Sequence, residues 1–281
     1  MTPSAFTRLV LHHDRHLLAV NKPAGMLSQP DRTGDTPVAV HASAWLAATA
    51  SPGLPRAKVV HRLDRRATGV LMLARSERAA TRLASAFRQR SVVKSYLVMC
   101  AGRPCRDLSE SARGRVDASI AHDEAAVRGR RMLPVGDDHN GPSQRASLAW
   151  RALGVSGEHA LLAVGIDGGR KHQIRSLLAS AGMPVVGDVR YGGHPTDGRV
   201  LALHAATLAL DHPIGGYSPL RLCAGPALPP EWVEDSGARL GLPRPLVTLA
   251  QRVLFDTWEA RDAHTVVLDA GLPTLWDSPA G

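Results

Sequence analysis

Asp64 stands as a lone carboxylate among cations. Residues 61–66 read His-Arg-Leu-Asp-Arg-Arg, so three arginines and a histidine surround it in sequence. Nearby positive charge opposes protonation and keeps such a group ionised. Two further features could do chemistry: the phenol of Tyr96, and the basic run of Arg170, Lys171, His172 and Arg175. An ionised carboxylate, a phenol and a basic cluster suit nucleophilic or acid–base work on an anionic substrate, with no metal and no cofactor. Other chemistries lack their residues. There is no Gly-x-Ser-x-Gly elbow, no P-loop and no Gly-x-Gly-x-x-Gly. Asp64 has no evident carboxylate partner for a glycosidase pair. Cys100 and Cys105 have neither a second cysteine pair nor a histidine at zinc spacing, so no metal site is expected. Each candidate also has a plain structural alternative. Asp64 fits a solvated charge cluster, Tyr96 a strand aromatic in the core, and Arg175 a helix face in water.

The elements that must position these groups follow from the apolar pattern. Residues 70–74 form an unbroken apolar run that reads as a buried strand, and Val59 and Val60 precede it. Asp64 therefore falls on a loop between two strands, where a rigid scaffold places reactive groups. Thr68 and Gly69 read as the turn that closes this loop. Residues 17–21 read as a strand, ended by Pro23 and Gly25. An alanine-rich helix is expected over 38–50, then a Pro/Gly linker at 51–55. Ser76 suits an N-cap, with Glu77 favourable in the first turn. Ala79, Ala80, Leu83, Ala84 and Phe87 then share one helical face. Tyr96 lies on a strand expected over 92–100. Residues 103–141 are the least regular and read as a hairpin or excursion, with Arg128, Arg130 and Arg131 close together. Strands over 146–153 and 159–166 are joined by a turn at 154–157. Ile174, Leu177, Leu178 and Ala181 mark a helix that ends at Gly182. Gly168 and Gly169 before it would offer backbone N–H groups to an anion. Cations near a helix N-terminus are unfavourable unless something negative binds there or they face water. Strands over 201–210 and 220–223 and a helix over 247–255 complete the pattern.

Composition bounds the partners. The chain has 281 residues, 34 Lys and Arg against 25 Asp and Glu, and a net charge of +9. Hydrophobic residues make up 44%, as in a globular protein. The basic excess points to a polyanion, most often nucleic acid, discounted for the high Arg content. Aromatics at 4% argue against an extended stacking platform for single strands. No apolar run approaches the ~20 residues of a membrane span, and residues 1–10 lack the apolar core of a secretory signal. Three cysteines suit a reducing cytosol. A cytoplasmic protein without a membrane partner is expected.

His61-Arg62-Leu63-Asp64 with Thr68-Gly69 resembles the central motif of the RluA-type pseudouridine synthases. Supporting segments follow in that family's order. Val20-Asn21-Lys22-Pro23-Ala24-Gly25 resembles its first motif, and Phe87 to Arg90 with Lys94-Ser95-Tyr96-Leu97 resembles its tyrosine motif. Residues 169–175 with 187–192 resemble its arginine motif. Leu203-His204-Ala205 and His212-Pro213 resemble its closing strand and turn. The resemblance implies an α+β fold: a mixed, mostly antiparallel central sheet with peripheral helices and a catalytic cleft. It implies isomerisation of uridine to pseudouridine in ribosomal or transfer RNA, by a monomer with no cofactor and no metal. Asp64 would be the nucleophile, at the sugar C1′ or the base C6. Tyr96 would pack on the target base and help remove the C5 proton, and Arg175 would pair with Asp64. Arg62 would hold the flipped nucleotide's place or touch the backbone. Arg170, Lys171 and His172 would contact RNA, and Leu203 would line the base pocket. The chain departs from the family at Arg66 and Ala67, and at Lys171 where Thr or Ser is usual. Residues 1–235 are expected to be the catalytic domain and 236–281 an extension of unknown role. The stretch before the first strand is too short for the S4-like module of many relatives. Two other readings remain. An RNA-binding protein that has lost catalysis is opposed by the joint presence of Asp64, Tyr96 and Arg175. A nucleosidase fits the bond broken but not the charge.

Overall fold

Residues 1–49, 56–109, 112–123, 131–136, 138–195, 201–225, 228–233 and 242–259 are described by the structure, a computed structural model. In chain order the elements are α1 (Pro3–Thr7), β1 (Val10–His13), β2 (Leu17–Lys22), α2 (Val38–Ala48), β3 (Lys58–Val59), β4 (Thr68–Ala74), α3 (Glu77–Arg88), β5 (Val93–Ala101) and α4 (Arg103–Arg106). Then come β6 (Arg113–His122), β7 (Met132–Val135), β8 (Ser143–Ser156), β9 (His159–Asp167), α5 (Gln173–Ser180), β10 (Leu203–Leu210), β11 (Leu220–Cys223), α6 (Pro230–Val233) and α7 (Arg244–Glu259). Among the described residues, one sheet of eleven strands runs β1-β2-β4-β10-β5-β9-β8-β6-β7, with β3 also on β4 and β11 on β10. Only β4 and β10 among the described residues pair in parallel; the other strand pairs are antiparallel. The mixed, mostly antiparallel α+β architecture is as expected.

Apolar runs without alternation mark strands covered on both faces. β4 is buried at all seven positions. Its Leu71 and Leu73 join one core with Leu18, Val20 and Trp45, on the side of α2. Val70, Met72 and Ala74 join a second core with Leu17, Ala19 and the α3 residues Ala79 and Leu83. Ser76 caps α3, its Oγ accepting from the Ala79 N–H at 3.2 Å. α7 packs on β8 and β9 through Leu246, Ala250 and Leu254, which belong to the first core. No helix among the described residues is long and apolar enough to cross a membrane.

Two expectations change. Thr68 and Gly69 are no turn: they open β4 and pair in parallel with His204 and Ala205. The β8–β9 turn does not span 154–157. β8 runs on to Ser156 through a bulge between Ala152 and Gly154, and a Cβ at Gly154 would meet Leu249 of α7 at 2.6 Å. The hairpin reading of 103–141 holds: β6 pairs antiparallel with β7 from Ser119 to His122, and β6 also aligns with β8 from Arg113 to Ala121. The linker at 51–55, and Arg128 and Arg130, lie outside the described residues.

Candidate active site

β4 has pairing partners at its ends and a gap between them. On one edge it meets β10 at Thr68 and Gly69, and β3 at Leu73 and Ala74. The loop carrying Asp64 fills the gap. His61 Nε2 accepts from the Met72 N–H at 2.8 Å, and its ring stacks on Phe87 at 4.5 Å. Burial, helped by the charge of Lys94, pushes His61 down to about 3. This histidine is therefore a neutral anchor and not one of the cations around Asp64. Lys22 pins the other side of the loop. It is fully buried, and its Nζ donates to the carbonyls of Pro23, Met26 and Arg65 at 2.8, 3.0 and 3.2 Å. Ser28 Oγ donates to the Leu63 carbonyl at 2.8 Å and accepts from the Leu63 N–H at 3.1 Å. Arg65 Nε donates to the Gly25 carbonyl at 3.0 Å, and its Nη2 pairs with Asp35. Arg65 thus fastens the loop.

The opposing wall comes from α5 and the turn after it. Gly168 and Gly169 do not form the helix N-terminus. Gln173 folds back instead: its Oε1 accepts from the Arg170 N–H at 2.9 Å, and its Nε2 donates to the Ser147 and Asp167 carbonyls at 2.7 and 3.1 Å. His172 is the N-cap and sits in the left-handed region at φ 55°, which is uncommon outside glycine. Arg175 follows on the first turn, 6% exposed. Its Nη1 donates to Asp64 Oδ2 at 2.7 Å. Its Nε and Nη2 donate to the two oxygens of Asp188 at 2.6 and 2.8 Å. Asp188 is fully buried, and the Tyr191 ring lies 5.0 Å from the Arg175 guanidinium carbon. Such a bidentate pair fixes geometry as well as charge.

Charge follows from these contacts. Burial alone would raise the Asp64 carboxyl. Protonated His172, then Arg175 and Arg62, outweigh it and hold the group below its usual range. His172 is itself pushed down to about 4, first by burial and against the pull of Asp64. It is neutral at pH 7, so Arg175 is the standing cation beside Asp64. Burial opposes the charge on Arg175, but hydrogen bonds to Asp188 and the charge of Asp64 push its pKa up. Burial, then the Asp64 charge, push the Tyr96 phenol well up, so Tyr96 keeps its proton.

Arg62, Asp64, Tyr96, Arg170, His172, Arg175 and Leu203 line one cleft. β5 and β10 are neighbours, with Ala205 opposite Tyr96 and Leu203 opposite Val98. Lys171 does not reach this cleft. It lines a flanking groove with His122 and Gln144. A second groove, with Phe87, Arg88 and Lys94, lies against the cleft as well. Arg62 and Arg170 border all three spaces. Sequence reasoning assigned no role to Asp188, Tyr191 or Lys22, although all three stand inside the quoted motifs. The Gly-Asp-x-x-Tyr-Gly spacing at 187–192 was the available signal.

A model of the family described as RNA pseudouridylate synthase matches residues 16–180, which hold Asp64, Tyr96 and Arg175. The chain belongs to this family. Its relatives place it in the RluA-type branch. It is 32% identical over 221 residues to the ribosomal large subunit pseudouridine synthase D of Zymomonas mobilis, covering 74% of this chain and 66% of that protein. It is 33% identical over 208 residues to the dual-specificity RNA pseudouridine synthase RluA of Vibrio vulnificus, covering 73% and 78%. The chain spans about two thirds of the length of the first of these relatives. Two human structures share the fold of this synthase-family chain. RNA pseudouridylate synthase domain containing 4 superposes with a TM-score of 0.62 at 24% identity, over 89% of this chain and 94% of that one. RNA pseudouridylate synthase domain containing 1 gives 0.63 at 21%, over 86% and 94%.

Proposed function

We propose that this chain is an RNA pseudouridine synthase. In the reaction the uridine N1–C1′ bond breaks, the uracil turns, and a C5–C1′ bond forms. The C5 proton leaves and N1 gains one, so the change is an isomerisation. One observation carries the reading: an ionised Asp64 held at 2.7 Å by Arg175 in a cleft lined by Tyr96 and Leu203. Asp64 Oδ2 is engaged by Arg175, which leaves Oδ1 to act as nucleophile at C1′ or at C6. Arg175 keeps the carboxylate charged and oriented. Tyr96 and Leu203 pack the target base. The raised phenol favours packing over removal of the C5 proton as the role of Tyr96. Flipping a uridine out of its stack costs a few kcal/mol, which cation contacts to phosphates offset. Arg62 and Arg170 suit this, at the junction of the cleft and both grooves, with Lys171 in one groove and His172 beside Asp64.

The substrate class follows the relatives, one named for the ribosomal large subunit and one for dual specificity. Ribosomal or transfer RNA in the cytoplasm, modified by a single chain, is the reading proposed. Residues 1–235 would carry the catalysis and 236–281 would be an extension. The test is tritium release. Purified full chain is mixed with unmodified large-subunit rRNA and tRNA transcripts made with [5-³H]uridine. Release from at least one is expected. Binding with no release from either would favour a catalytically inactive RNA-binding protein on the same scaffold.

A further inference from the structure

We propose that Tyr191 is a positioning residue whose hydroxyl selects the Nε2–H tautomer of His172 and so aims an N–H donor at the free oxygen of Asp64. The inference rests on the reading of Asp64 as nucleophile. Tyr191 follows Asp188 on a short 3₁₀ turn at Val189–Tyr191 and is buried. Its hydroxyl oxygen accepts from the Met132 N–H of β7 at 2.8 Å. The same oxygen lies 2.9 Å from His172 Nδ1. On its far side, His172 Nε2 lies 3.8 Å from Asp64 Oδ1. Arg175 holds the other oxygen, Oδ2.

Proton bookkeeping fixes the direction of this relay. A neutral imidazole carries one N–H and one bare nitrogen. With the hydrogen on Nδ1, the Tyr191 hydroxyl would receive two N–H donors and its own hydrogen would have nowhere to go in the pair. The bare Nε2 lone pair would then face a carboxylate. With the hydrogen on Nε2, Tyr191 accepts from Met132 and donates to Nδ1, and the Nε2–H points at Oδ1. Both ends favour the second arrangement. Burial supports it by keeping the ring neutral at pH 7. The left-handed backbone at His172 turns the ring between Tyr191 and Asp64. At 3.8 Å the contact is too long for a hydrogen bond. Catalytic contacts of this kind often tighten only when substrate binds. The donor then checks rotation of the carboxylate about its Arg175 bond and keeps Oδ1 aimed into the cleft. Tyr191 does not line the cleft, so it acts through His172.

The test uses the full chain with histidine ¹⁵N labels and no RNA. In the wild type, His172 should show a protonated Nε2 and a bare Nδ1. In Tyr191→Phe, which keeps the ring over Arg175, the two tautomers should mix. A protonated Nδ1 in the wild type, or an unchanged tautomer in the variant, would overturn the proposal. The kinetic arm uses single-turnover tritium release from the transcript that responds to wild type. Tyr191→Phe should lower the rate about tenfold with KM unchanged. His172→Asn, chosen because Asn tolerates φ > 0, probes the relay from its other end. The double variant should be no slower than His172→Asn alone, since coupled neighbours are not additive. Additive losses, or a full rate in Tyr191→Phe, would overturn the proposal. A pinned tautomer in a wild type that releases no tritium would sink the proposed function and leave the relay standing.

Discussion

At the scale of single residues, Asp64 takes its standing charge partner from far along the chain. Arg175 lies 111 residues away, whereas adjacent Arg65 is spent on Gly25 and Asp35. Asp188 completes the arrangement by fixing two of the Arg175 nitrogens. Asp188→Asn should therefore destabilise as well as inactivate. Removing one partner of a buried ion pair costs about 3 kcal/mol or more. For a chain of this size that is roughly 6–12 °C in Tm, readable by calorimetry. Because Arg175 would lose its fixed orientation, tritium release should fall about a hundredfold, as small misplacements can cost. An unchanged Tm with full activity would show that Asp188 does not hold Arg175. Asp64, Tyr96, Arg175 and Leu203 were legible because they stand in motifs resembling a known family. The roles of Asp188 and Tyr191 were not, because a pairing between α5 and the following turn leaves no mark in local spacing.

Among elements, the parallel join of β4 to β10 decides whether the cleft exists. It brings the Asp64 loop beside Leu203. Gly69 makes it possible: its φ is 112°, and a Cβ there would lie 2.2 Å from the Ala205 carbonyl oxygen. Gly69→Ala should break this join. Backbone strain alone is about 1–3 kcal/mol, and the clash adds to it. Little folded protein, or a Tm lower by about 10 °C with loss of activity, is the expected result. A wild-type Tm would contradict the close approach. The sequence presented this glycine as a turn because glycine marks turns and close backbone contacts alike. β6 was hard to read for a different reason. Its burial alternates between exposed and half-buried positions over its first six residues, so its composition resembles a loop until β8 pairs with it. The core strands β2, β4, β5 and β9 were legible because burial makes them apolar runs.

Across the whole molecule, a sheet covered on both faces buries polar rings along with its apolar core. His61 and His204 are pushed down to about 3 and His172 to about 4, from a usual 6.5, with burial the first cause in each. All three stay neutral in the folded protein while the unfolded chain takes up protons below pH 6.5. Stability is thus full above that pH and is lost as pH falls toward 4. The slope is about 1.4 kcal/mol per pH unit for each ring. The lowered carboxyl of Asp64 adds its own loss at still lower pH, where it protonates in the unfolded chain first. Tm should be level from pH 8 to 7 and drop steeply from 6 to 5; a level Tm across pH 8 to 5 would contradict neutral burial of these rings. The topology itself could not be read from residues. A strand order that sets β10 between β4 and β5 depends on contacts between distant segments, and the family resemblance supplied only the mixed, mostly antiparallel sheet.

The most direct measurement compares wild type with Asp64→Asn in tritium release, using the same [5-³H]uridine transcripts and measuring RNA binding alongside. Asn keeps the shape and removes the charge. The expected result is release by the wild type, none by the variant, and RNA binding retained in both. Release by Asp64→Asn at the wild-type rate would show that this carboxylate is not the nucleophile.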